Sequence, residues 1–159
     1  MPERFKRGAV GCTTNPDFNK LFDKYITEVC SLFHGEYIHA GLDEVFEFAE
    51  CPRCKALRKT GITKKDIFFS QVMHDYDLIK SMLMWDDFFE YYDIVADLPR
   101  DIILCHWNYG FIGSETKGHW TNRVRKDWLS VYDRLGFKYI FCAYGSNASS
   151  TYNVDTLTD

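Results

Sequence analysis

No run of about 18 apolar residues occurs in this chain, so no segment reads as a membrane-spanning helix. No block of basic residues occurs either, and the net charge is -4. Without a positive stripe, no nucleic-acid partner is expected. The opening Met1-Pro2-Glu3-Arg4-Phe5-Lys6-Arg7 has no apolar core, so it does not read as a signal peptide. On that reading the chain is cytoplasmic if it is complete. A disulfide framework is missing too: Cys12, Cys30, Cys51, Cys54, Cys105 and Cys142 follow no paired spacing. Only Cys51-Pro52-Arg53-Cys54 has the spacing of metal ligands. A structural zinc needs four ligands, and neither a second CxxC nor a His pair accompanies this one. No metal site and no cofactor are therefore expected. The pair reads as a helix-entry turn or a redox-labile couple, with zinc as the minor alternative.

What is present supports a core. Hydrophobic residues make up 46% of the 159 positions and aromatic residues 17%. That length implies one domain over residues 1–159. The stretch Glu36-Tyr37-Ile38-His39-Ala40-Gly41-Leu42-Asp43-Glu44-Val45 organises the rest. It reads as a buried strand ending on two adjacent carboxylates. Alternation sends Ile38, Ala40 and Leu42 toward covering helices and His39, Gly41 and Asp43 toward a site. Glu44 directly follows Asp43, so both acids serve one site only if the strand stops there and the chain turns. The plainer reading is that both acids open the next helix, where they favour its dipole.

Helices and strands alternate along the remainder. Asn15-Pro16 starts a helix whose apolar residues recur from Phe18 to Phe33, with Gly35 as its expected C-cap. Thr63 and Asp66 resemble a capping box opening a helix from about Lys64 to Lys80. Ser81 to Asp87 reads as a strand and Phe88 to Ala96 as a short helix. Asp101 to Asn108 is a third strand, Lys126 to Leu135 a helix capped by Gly136, and Lys138 to Tyr144 a fourth strand. The helix before Trp85 meets its strand with no Gly or Pro, so it ends early or the turn is strained. Near-continuous apolar strands alternating with helices imply an α/β fold, a parallel sheet covered on both faces. Each strand ends in a functional-looking group: Asp43-Glu44, Trp85-Asp86, Trp107 and Tyr144. Parallel sheets carry their chemistry at that edge.

The string His39-Ala40-Gly41-Leu42-Asp43-Glu44 resembles the His-x-Gly-x-Asp-Glu motif of glycoside hydrolase family 20, the β-N-acetylhexosaminidases. The usual form has a second Gly where this chain has Leu42. The likeness runs from Asn15-Pro16 to Tyr144. It implies a (β/α)8 TIM barrel, and such barrels take about 250 residues, so this chain is too short to close one. It resembles the segment from the third helix through the seventh strand, and the isolated segment is expected to be incomplete as an enzyme. Ser146 stands where the family usually has Asp.

The resemblance also implies roles. The family is a substrate-assisted exception to the two-carboxylate rule for glycosidases. Glu44 is then the general acid that later activates water. Asp43 orients the 2-acetamido group and stabilises the oxazolinium charge. Tyr144 hydrogen-bonds the acetamido oxygen, Trp85 and Trp107 wall the sugar, and Asp86 is a weaker candidate for a hydroxyl contact. His39 is expected to support the strand core. The implied partner is a glycan or glycoconjugate bearing N-acetylhexosamine. The open sheet edges imply self-association. The competing reading is a non-catalytic carbohydrate-binding or structural relative.

Overall fold

The computed structural model of the chain describes residues 11–45, 47–107 and 127–142. The elements run α1 (Pro16–Leu32), β1 (Ile38–His39), α2 (Pro52–Lys59), α3 (Lys64–Leu78), β2 (Met82–Trp85), β3 (Ile103–His106), α4 (Trp128–Leu135) and β4 (Lys138–Phe141). The strands form one sheet in the order β1-β2-β3-β4. β2, β3 and β4 pair in parallel, with Trp85 opposite Cys105 and His106 opposite Phe141. The fold is α/β, and among the described residues the sheet is open. The chain divides into two compact units, residues 1–38 with 44–81 and residues 39–43 with 82–159.

The first unit is helical, and its helix starts follow local chemistry. The Asn15 side chain accepts from the Asp17 N–H at 3.0 Å, ahead of Pro16 in the first turn of α1. Two bonds close the box that opens α3: the Asp66 N–H donates to Thr63 Oγ1 at 3.1 Å, and the Thr63 N–H donates to Asp66 Oδ2 at 2.8 Å. Cys51 caps α2, its Sγ accepting from the Cys54 N–H at 3.4 Å. That amide and the Cys12 thiol hold the Cys51 thiol down at about 7, and burial pushes Cys54 up to about 11. On α3 the buried residues Ile67, Phe68, Gln71, Val72 and Asp75 form one face. Phe48 meets Phe68 edge to face at 5.8 Å.

Two helix ends differ from the sequence expectation. α1 stops at Phe33, which is extended at φ -102, so Gly35 caps nothing. α3 ends early, at Leu78, because Ile79 turns extended and buries its side chain. Much of the apolar set on α1 stays in solvent: Leu21, Tyr25 and Leu32 are exposed and only Ile26 is buried.

The second unit carries the sheet. Met82 and Met84 bury one face of β2, while Leu83 and Trp85 are half-buried on the other. Among the described residues β4 is an edge strand, and its Lys138 and Ile140 are exposed. Between β2 and β3 the expected helix is replaced by two 3-10 turns, Asp87–Glu90 and Val95–Asp97. The buried residues there are Phe88, Phe89, Ile94, Val95 and Leu98. No single helical face holds that set, because one continuing past Phe89 would bury the exposed Asp93 instead. The Arg100 guanidinium donates to the carbonyls of Val95, Ala96 and Leu98 and lies over the Phe137 ring. Gly136 ends α4 in the left-handed conformation at φ 77, as the sequence predicts.

Candidate functional site

The strand that carries the acid pair is shorter than its sequence suggests. Regular structure covers Ile38 and His39 alone, half-buried and exposed, because β1 forms the edge of the described sheet. Its pairing with β2 nevertheless continues. The Ile38 N–H donates to Ser81 O at 3.0 Å, the Ala40 N–H to Leu83 O at 2.8 Å, and the Trp85 N–H to Gly41 O at 3.0 Å. The backbone then leaves the extended region. Gly41, Leu42 and Glu44 all take positive φ, at 79, 72 and 50 degrees. This turn ends the alternation expected to carry Leu42 onto the helix side. A side chain at such φ costs roughly 1–2 kcal/mol. Leu42 therefore bears strain that the glycine of the usual motif avoids. Asp43 is exposed and Glu44 half-buried.

His39 is not a core residue. Its ring packs on Trp85 with centroids 4.7 Å apart, and its Nδ1 accepts the Gly41 N–H at 2.9 Å. That bond leaves the ring proton on Nε2 in the neutral form. His39 thus braces both the turn and the Trp85 ring.

The second strand end is organised differently. Asp86 is only 3% exposed. Its Oδ2 accepts from the Tyr132 hydroxyl at 2.7 Å and lies 2.5 Å from His106 Nδ1. The Asp86 carboxylate is thus engaged with protein groups through Oδ2. Burial, then the Asp86 charge, push the Tyr132 hydroxyl far above its ordinary range. Trp107 Nε1 donates to Asp87 Oδ1 at 3.2 Å. Trp85 and Trp107 are both half-buried. Tyr144, the last candidate, lies outside the described residues.

The structure thus brings Asp43, Trp85 and Trp107 to the ends of neighbouring parallel strands, with Glu44 bonded next to Asp43. It adds three residues that sequence reasoning missed: His106, Tyr132 and Asp87. A signal existed. In a parallel pair the offset is constant, and here Asp86–His106 and Asp87–Trp107 are each 20 residues apart, as are Trp85 and Cys105.

The family model for the catalytic domain of glycosyl hydrolase family 20 matches residues 5–156. No curated protein matches the chain.

Proposed function

The chain belongs to glycosyl hydrolase family 20, a family of glycosidases whose fold is a TIM barrel, and from that premise we propose an exo-acting β-N-acetylhexosaminidase. Under this reading residues 1–159 form one domain, part of a catalytic barrel that when complete removes a terminal N-acetylhexosamine with retention of configuration. The supporting observation is the left-handed turn over Gly41, Leu42 and Glu44, which follows a strand edge and presents two consecutive acids. Adjacent carboxylates cannot flank a sugar from opposite faces, so a nucleophile supplied by the enzyme fits poorly. The substrate's own acetamido oxygen fits better.

The roles follow. Glu44 protonates the leaving oxygen and then takes a proton from water. Asp43 orients the acetamido group and stabilises the positive charge of the oxazolinium. Trp85 and Trp107 wall the ring, and Tyr144 holds the acetamido oxygen. Asp86 and Asp87 act as positioning residues, through His106 and Trp107.

Two substrate series test this reading. In a complete parent enzyme, Glu44→Gln is expected to slow poor leaving groups most and activated aryl glycosides least, because the latter need little protonation. Fluorinating the acetyl methyl is expected to lower the rate steeply. A rate indifferent to fluorination, or a covalent sugar ester on Asp43, overturns the substrate-assisted mechanism.

A further inference from the structure

The sequence expectation of no metal site rested on the absence of ligands near Cys51 and Cys54. The fold supplies one from far away. Cys12 Sγ lies 3.2 Å from Cys51 Sγ, 39 residues on, and 3.7 Å from Cys54 Sγ. All three sulfurs lie within 4.8 Å of one another. Thr14 Oγ1 stands 3.3 Å from both Cys12 Sγ and Cys54 Sγ.

We propose that Cys12, Cys51 and Cys54 form a three-thiolate site for a thiophilic divalent cation of the zinc class, with its fourth position beside the Thr14 hydroxyl. Zinc–sulfur bonds of about 2.3 Å in a tetrahedral site put neighbouring sulfurs about 3.8 Å apart, close to the spacing here. A disulfide uses two of these sulfurs and leaves the third pressed against it. Thiols are weak donors and acceptors, so three of them gain little from converging on their own. A shared cation gives their convergence a cause.

The placement of Cys12 is built, not incidental. Its carbonyl accepts the Asn15 N–H at 2.9 Å, and Asn19 Nδ2 donates to the Thr13 carbonyl at 3.0 Å. Gly11 passes so close to Phe18 that a Cβ would lie 2.1 Å from the ring. On the other side, Pro52 in the first turn of α2 and the Cys54 amide fix Cys51. The ion would clip the segment before α1 to the start of α2. It stands independently of the hydrolase reading, since substrate-assisted cleavage uses no metal.

The test uses the full chain, purified reduced and without a metal-affinity step. Elemental analysis is expected to find about one zinc per chain. Cobalt(II) added to the metal-free chain is expected to produce the thiolate charge-transfer and tetrahedral ligand-field bands. Cys12→Ser should weaken cobalt binding by more than about 100-fold, beyond the loss that outer-sphere partners cause. Cys30→Ser, a cysteine of α1 outside the cluster, should leave it unchanged. If Cys12→Ser fails to fold, the cobalt titration of the unsubstituted chain decides alone. No charge-transfer band in the reduced chain overturns the proposal. So does peptide mapping that finds Cys51 joined to Cys12 or Cys54 in chain isolated without reductant, the signature of a redox pair.

Discussion

Asp43 and Asp86 look alike in the sequence, each an acid placed just past an apolar strand. The fold treats them oppositely. Asp86 is buried and engaged by Tyr132 and His106. Asp43 is exposed, in a turn with residues at positive φ on both sides. A buried carboxylate with good donors fixes its neighbours. An exposed one on a strained turn contributes little to stability and stays available for chemistry. On the proposed reading the contrast separates scaffold from reagent, and four measurements press on it.

The largest effect belongs to the reagent. Asp43→Asn is expected to slow hydrolysis of an aryl N-acetylhexosaminide by about 100-fold or more, roughly 3 kcal/mol of transition-state stabilisation. Its urea midpoint should stay put. A large loss of stability with little loss of rate would make Asp43 part of the scaffold after all.

Asp86→Ala should do the reverse. It strands the Tyr132 hydroxyl and His106 without their acceptor, costing about 3 kcal/mol in chemical denaturation. An unchanged midpoint would dissolve the distinction between the two acids.

Asp75 sharpens the comparison by showing burial with weaker support. It is 1% exposed, takes a bond of 2.6 Å from Gln71 Nε2, and burial pushes its pKa up to about 6. The folded chain therefore keeps a proton that the unfolded chain, with the ordinary value of 3.8, has released between those two pH values. This contribution is complete below the lower value and is lost as pH rises through about 6, by about 3 kcal/mol. Asp75→Asn should remove that decline relative to the unsubstituted chain. Parallel stability curves for the two chains would assign it to other groups.

The smallest effect lies in the turn itself. Leu42→Gly relieves a side chain held at φ 72 and should raise stability by about 1 kcal/mol, less the added freedom of the unfolded chain. A loss of stability instead would mean that Leu42 packing outweighs its backbone strain.

Caps and turns were the legible part of the fold. Asn15, Thr63 with Asp66, and Gly136 act through neighbours in the chain, so local chemistry shows them. The segment after Phe88 was misread because its burial is set by Arg100 and the sheet, not by helical period. The turn after β1 was legible, because consecutive acids at a strand end call for one, and Gly41, Leu42 and Glu44 take positive φ. His106 could be found only through the constant offset of β2 and β3, and Tyr132 not at all, because its link to Asp86 spans 46 residues. Cys12 escaped for the same reason, being separated from Cys51 by an entire helix.

The constant offset between β2 and β3 has a bearing on assembly. Apolar runs such as Met82-Leu83-Met84 and Ile102-Ile103-Leu104 could slide past one another at small cost, since their greasy surfaces are nearly interchangeable. Parallel strands joined by long crossovers are also slow to find each other. A slip of one residue would set Cys105 or Trp107 opposite Asp86, strand a buried charge and reverse every side chain of β3 between the faces. Asp86 and His106 therefore work like a key and its ward: their pairing favours one alignment of β2 on β3 over its neighbours.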